Sequence, residues 1–251
     1  MKDKQNLVQI SNINKSYGNK KILKDISFSI AEGCICGLLG PSGCGKTTTV
    51  KILAGILSQD SGEVIILNQK MPNLDLMAKI GYMAQSSALY ESLTAEENLK
   101  FFGALYGLKG AELNRRIEYV MEIVDLKSEL KKKVNEYSGG MKQRLSLAVS
   151  LLADPKVLIL DEPTVGIDPV LRQSIWKELY KLADQGVTIL ITTHVMDEAE
   201  KCHQLAMLRD GQMIAIGTPT EIIKKSGKET IEQAFIHFGT TQNEGDTRYE
   251  D

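Results

Sequence analysis

Ile35-Cys36-Gly37-Leu38-Leu39-Gly40-Pro41-Ser42-Gly43-Cys44-Gly45-Lys46-Thr47 is the stretch on which the fold turns. Ile35–Leu39 carries no polar side chain except a thiol, the pattern of a strand buried on both faces of a parallel sheet. Gly40–Thr47 then fits the spacing G-x-x-x-x-G-K-[ST], directly after that strand and directly before a helix expected over Lys46–Leu57. Glycines let backbone N–H groups turn inward, and the positive end of the following helix favours negative charge. Gly40, Pro41, Ser42, Gly43, Cys44, Gly45 and Lys46 therefore read as a cradle for phosphate oxygens. Lys46 is placed to reach β- and γ-phosphates, the Thr47 hydroxyl to bind Mg²⁺, and Thr48 to add a phosphate contact. The spacing predicts a nucleotide site and leaves kinase, GTPase and ATPase open.

Outward from this loop, Val157–Leu160, Thr188–Thr192 and Gln204–Leu208 are further runs apolar on both faces. Helical patterns separate most of them, which implies βαβ units and an open α/β sheet. Upstream, Ile26-Ser27-Phe28-Ser29-Ile30 alternates strictly, as a half-buried antiparallel strand does, and the turn Ser61-Gly62-Glu63 leads into a strand Val64–Leu67. After Pro169, Leu171, Ile175, Leu179 and Leu182 recur at helical spacing. Between about Ser92 and Ala153 the pattern is wholly helical, with Leu113, Ile117, Val120, Met121 and Val124 in one stripe. The expected division is an α/β core over 1–91 and 154–239, an inserted helical lobe over 92–153, and a polar, acidic tail over 240–251 without fixed structure.

Composition bounds the function. With 43% apolar and 25% charged residues among 251, the chain has the makings of a sizeable core. Thirty basic against thirty-two acidic residues leave a net charge of -2, which argues against a dedicated nucleic-acid binder. No run approaches the roughly 18–20 apolar residues that cross a bilayer, and Met1–Asn6 lacks the apolar centre of a signal peptide. The expectation is a cytoplasmic protein that reaches a membrane only through a partner. Cys34, Cys36, Cys44 and Cys202 have no zinc spacing and read as buried thiols in a reducing compartment.

Two acids complete the chemistry. Asp161 and Glu162 end the strand Val157–Leu160, so Asp161 is placed to hold Mg²⁺ and Glu162 to orient and deprotonate an attacking water. His194 ends the strand Thr188–Thr193, at the sheet edge where α/β proteins bind ligands. Gln85 ends a further strand, Lys79–Ala84, within reach of a metal or water. Tyr17 precedes Gly18 and offers an aromatic face, although its position alone reads as core or turn packing.

Tyr137-Ser138-Gly139-Gly140-Met141-Lys142-Gln143-Arg144 narrows the class. Ser138 is a good N-cap, the two glycines bare the first-turn amides, and Leu145, Ala148, Val149 and Leu152 make an apolar side. One nucleotide does not need a second anion-binding helix tip from the same subunit unless that tip serves a neighbour. The segment resembles the signature of ABC ATPases, and the other motifs fall in that family's order. Tyr17 matches the aromatic A-loop, Gly40–Thr47 the Walker A, Gln85 the Q-loop, Asp161 and Glu162 the Walker B, Val165–Asp168 the D-loop and His194 the H-loop. The likeness spans roughly residues 5 to 220. Tyr137 stands where Leu is usual, Met141-Lys142 replaces a Gln-initial pair, and the D-loop reads Val-Gly-Ile-Asp rather than Ser-Gly-Leu-Asp.

The resemblance implies a P-loop NTPase (RecA-like) core with an N-terminal antiparallel β subdomain and an inserted all-α subdomain. It implies ATP with Mg²⁺ held by Thr47, Gln85 and Asp161, and catalysis by Glu162, His194, Gln85 and Lys46. It also implies a head-to-tail homodimer, or heterodimer with a second ATP-binding subunit, in which Ser138, Gly139 and Gly140 bind the partner's γ-phosphate. His194 would contact that phosphate from its own side, while Asp168 would signal across the interface and also cap a helix at Pro169. Within the family, Thr164–Pro169 and Thr193–Glu200 are similar to bacterial exporter subunits that pair with a separate membrane permease. The helical lobe and Ser86–Leu93 would then face that permease. A soluble ABC ATPase acting on ribosomes or DNA is the rival; such forms carry two modules, or a long coiled coil between loop and signature, and neither is present in this sequence.

Overall fold

The computed structural model describes residues 5–85 and 88–246. Ser86 and Ser87, the first residues of the expected permease-facing segment, lie outside them. The chain divides into two compact units, one made of the residues up to Pro72 with those from Leu190 on, the other of Asn73–Ile189.

The first unit opens with β1 (Asn6–Tyr17) and β2 (Lys20–Ala31), an antiparallel hairpin in which Tyr17 faces Lys20. Next come β3 (Ile35–Leu39), α1 (Lys46–Leu53), β4 (Ser61–Ile66) and β5 (Gln69–Lys70). β4 reaches β5 through Leu67 and Asn68, both at positive φ, the backbone of a two-residue turn whose twist matches its flanking strands. These strands form the expected antiparallel sheet, in the order β2-β1-β4-β5, and Val8, Ile10, Ile13, Ile26, Phe28 and Val64 supply its buried face. The helix α1 ends four residues earlier than its apolar spacing predicts, because Gly55 at φ 70° turns the chain out after the C-cap Ala54.

The second unit holds α2 (Leu74–Met77), β6 (Ile80–Met83), α3 (Ala95–Leu105), α4 (Gly110–Ile123), α5 (Gly139–Leu151), β7 (Val157–Asp161) and α6 (Pro169–Asp184). β6 and β7 pair in parallel, with Met83 opposite Leu160, and α5 packs on both strands. That packing draws the two strands together with the helices. The compact unit is therefore wider than the helical stretch 92–153 alone.

β8 (Thr188–Thr193) returns the chain to the first unit, followed by α7 (Met196–Ala199), β9 (Gln204–Arg209), β10 (Gln212–Gly217), α8 (Pro219–Ser226) and α9 (Ile231–Asp246). The order here is β10-β9-β3-β8, with β9 parallel to β3 and β10 antiparallel to β9. All five residues of β3 and all six of β8 are buried, the three threonines of β8 included. The expectation of an unstructured segment from residue 240 is corrected in part: α9 continues to Asp246. Ile231 and Ala234 are buried and anchor this helix, and extension adds one hydrogen bond per residue once the nucleus exists. Residues 247–251 lie outside the described ones.

Candidate functional site

The phosphate loop is built entirely within the first unit. Gly40 directly follows β3, where no other residue fits, since a Cβ there would stand 2.2 Å from the carbonyl oxygen of Leu208. Its own N–H donates to the Thr193 carbonyl at 3.4 Å. At the far end Gly45, at φ 114°, is the N-cap of α1 and offers no side chain to the helix. By contrast α3, α5, α6 and α8 begin at Thr94, Ser138, Asp168 and Thr218, each accepting a first-turn N–H. With no acid in its first turn either, α1 leaves its amides and dipole to an incoming anion.

Lys46 is 5% exposed, and its Nζ donates to the carbonyl oxygens of Gly40 at 2.7 Å and Pro41 at 3.1 Å. The ammonium thus lies folded back over the start of its own loop. Pro41, Ser42 and Gly43 are exposed, while Thr47 and Thr48 are half-buried. Burial pushes the Cys44 thiol up, with the Lys46 charge opposing, so it stays protonated and inert.

His194 is exposed and follows Thr193 at the end of β8. The buried Thr193 hydroxyl accepts from the Val195 N–H at 3.0 Å and donates to Glu198 Oε2 at 2.8 Å. Both backbone neighbours of the histidine are therefore tied, one to Gly40 and one to this buried hydroxyl–carboxylate pair. Thr193 and Glu198 fall in the stretch Thr193–Glu200, but the sequence assigns neither a role of its own; the available signal was an acid four residues beyond His194.

Tyr17 is 52% exposed, so of the two positional readings the core one is excluded, while its place beside the turn at Gly18 stands. Lys15 Nζ lies 5.9 Å from its ring centroid and pairs with Asp60 at 2.8 Å. Hydrogen bonds from Lys15 and from the Ser16 backbone hold the Asp60 carboxyl below its ordinary range. The residue is thus about half exposed, with the Lys15 ammonium over its ring.

The second unit carries the acids. Asp161, the last residue of β7, is fully buried. Burial, reinforced by the Asp161 charge, pushes the neighbouring Tyr82 hydroxyl up to about 12. Glu162 follows at φ 52°, a left-handed backbone that costs a non-glycine residue of order 1–3 kcal/mol and survives only where its surroundings enforce it. Gln85 is exposed, and its Nε2 donates to Glu162 Oε2 at 3.4 Å, so the structure brings these two predicted residues together. Gln143, which sequence reading did not single out, donates from Nε2 to the Glu162 carbonyl at 2.9 Å.

Ser138 caps α5 as expected, its Oγ accepting from the Met141 N–H at 3.2 Å. Ser138 and Gly139 are exposed, and nothing lies within 4 Å of where a Gly139 Cβ would stand. Tyr137 is buried with its hydroxyl donating to the Glu129 carbonyl at 2.8 Å, so the larger residue fills the place of the usual Leu and satisfies its polar end. Asp168 accepts from the N–H groups of Val170 and Leu171 at 3.1 and 3.0 Å. Its helix-capping account therefore holds.

This geometry agrees with what comparison finds. A profile of the family described as ABC transporter matches residues 23–165. The chain belongs to the ABC transporter family. As such it is an ATP-binding and ATP-hydrolysing protein.

Among its ABC relatives, the linearmycin resistance ATP-binding protein LnrL of Bacillus subtilis is 42% identical over 92% of this chain and 75% of its own length. The Nod factor export ATP-binding protein I of Paraburkholderia xenovorans is 41% identical over 90% and 75%. The Escherichia coli ATP-binding protein YbhF is 39% identical over 93% of the chain, which spans 42% of that relative. Among solved structures, an ATP-binding subunit of an ABC transporter superposes with a TM-score of 0.86 at 27% identity, over 93% of this chain and 99% of that one. A dimeric ATP-binding cassette in a post-hydrolysis state with ADP and Pi gives 0.78 at 29% identity, over 84% and 98%.

Proposed function

We propose that this ABC subunit powers export by a separate membrane permease, through ATP-driven closure of two ATP-binding subunits head to tail. The observation that carries the reading is the exposed, uncrowded tip of α5: Ser138 and Gly139 are exposed, and nothing lies within 4 Å of where a Gly139 Cβ would stand. A glycine-rich helix start left open in this way suits the phosphate of a nucleotide bound by another subunit. The names of the relatives, resistance and export ATP-binding proteins, support export and give the ribosome- or DNA-acting alternative no ground. Among the described residues no helix is long and apolar enough to cross a membrane. In this reading the permease is a separate partner, and the subunit works at the cytoplasmic face.

In this reading Gly40–Thr48 take the phosphates, with Lys46 leaving its two carbonyls for the β- and γ-phosphate oxygens. Tyr17 stacks on the base. Glu162 draws the proton from the attacking water, Gln85 orients that water, and His194 contacts the γ-phosphate. Thr47, Asp161 and Gln85 offer a hydroxyl, a carboxylate and an amide oxygen, the hard oxygen donors that Mg²⁺ accepts, and when bound the ion neutralises charge on the β- and γ-phosphates. A base so positioned contributes on the order of 10²–10⁴-fold in rate. Glu162→Gln is expected to bind ATP, to lose turnover by that order, and to collect as a dimer on size exclusion. Unchanged turnover would remove Glu162 from its role.

A further inference from the structure

The face of α5 that carries Gly140 and Gln143, three residues apart, lies on the loop that contains Glu162. A Cβ at Gly140 would stand 3.0 Å from the Gly166 carbonyl oxygen, so the helix already touches the loop there. One turn on, Gln143 Nε2 donates to the Glu162 carbonyl at 2.9 Å, a bond stronger in geometry than the 3.4 Å contact of the Val165 N–H with the same oxygen. Glu162 itself is at φ 52°, a left-handed backbone that is unfavourable for a residue with a Cβ. A carboxylate's aim follows from its backbone: a return to right-handed geometry would swing the side chain away from Gln85.

We infer that Gln143 is a positioning residue: its amide locks the backbone of Glu162 in the left-handed conformation that aims the carboxylate, and it does so from the same helix whose tip is open to a second subunit's nucleotide. Engagement of Ser138 and Gly139 is thereby transmitted along α5 to the base of the helix's own chain. The inference rests on the reading of Glu162 as the base.

Steady-state ATP hydrolysis by the full chain tests it through two variants. Gln143→Met keeps the length and loses the donor. Its kcat is expected to fall by about tenfold or more, a fraction of what the base supplies, with KM for ATP within about twofold. Combined with Glu162→Gln it is expected to be no slower than Glu162→Gln alone. Gln143→Glu adds a readout that plain destabilisation does not move. Ionised, it cannot donate; protonated, its hydroxyl can. Its kcat relative to the unaltered chain is therefore expected to climb as pH falls from about 7 toward the carboxyl range near 4.3. Normal kcat in Gln143→Met, a loss that multiplies with Glu162→Gln, or a flat pH ratio for Gln143→Glu would each overturn the inference. If Glu162→Gln itself keeps full turnover, the reading of the base falls instead.

Discussion

The backbone amide of Gly40 donates to the carbonyl of Thr193 at 3.4 Å. The first residue of the phosphate loop is thus fastened to the residue before His194, and the Thr193 hydroxyl is fastened in turn to Glu198 at 2.8 Å. A histidine at a strand end is well aimed only if the turn beneath it is rigid. Thr193→Val keeps the shape of the side chain and removes that hydroxyl, leaving the Val195 N–H and the Glu198 carboxylate each short of one partner. A loss of about tenfold in kcat corresponds to 1.4 kcal/mol of misaimed contact, with KM for ATP moving by less than about twofold. Steady-state kinetics on Thr193→Val and Thr193→Ser decide it. The serine variant, which restores the hydroxyl, is expected to recover most of the rate.

The loop's glycines make separate demands. Gly40→Ala drives a methyl to 2.2 Å from the Leu208 carbonyl oxygen, a backbone atom that cannot swing aside. Overpacking of this kind costs about 1–3 kcal/mol. Gly43, at φ 81°, has nothing within 4 Å of a Cβ, so Gly43→Ala meets only the left-handed penalty of about 1–2 kcal/mol. Thermal denaturation is expected to rank Gly40→Ala as the less stable of the two, and nucleotide titration to show it as the weaker binder. The reverse order would mean that the strand-end contact yields.

Helix α3 offers a pH test. Thr94 and Glu97 cap it reciprocally, and the Thr94 backbone N–H, followed by its hydroxyl, holds the Glu97 carboxyl below its ordinary range. A carboxyl lowered by folding adds stability that is complete above its unfolded value, near 4.3, and fades as pH falls through the folded one. Thr94→Ala is expected to lower Tm by about 2–4 °C at neutral pH. The difference from the unaltered chain should shrink below pH 4, as differential scanning calorimetry would show.

The strands and helices were legible because their signals are local. β3 is an unbroken apolar run, β7 has an apolar stretch Val157–Leu160 and β8 an apolar centre flanked by threonines, Ser138 and Asp168 are caps with helices behind them, and Gly40–Lys46 carries its own spacing. What sequence could not supply is pairing across distance. Nothing near Gln143 announces that its amide meets the carbonyl of Glu162, and nothing near Thr193 shows that Glu198 folds back onto its hydroxyl. Position alone did not separate packing from an open aromatic face at Tyr17, because an aromatic beside a turn glycine looks the same whether it points in or out. The reach of α9 to Asp246 was missed for the opposite reason: local polarity said coil, while an anchored helix upstream carried the residues along.

The shared pocket is the claim on which the functional account stands, and mixing two crippled chains tests it most directly. Lys46→Ala spoils the phosphate loop and spares the α5 tip; Ser138→Arg spoils the tip and spares the loop. If each pocket takes its loop from one subunit and its tip from the other, a mixed pair retains one sound pocket. ATP turnover and ATP-dependent dimerisation are therefore expected to return on mixing, although each variant alone shows neither. A mixture as inactive and as monomeric as its components would contradict the account.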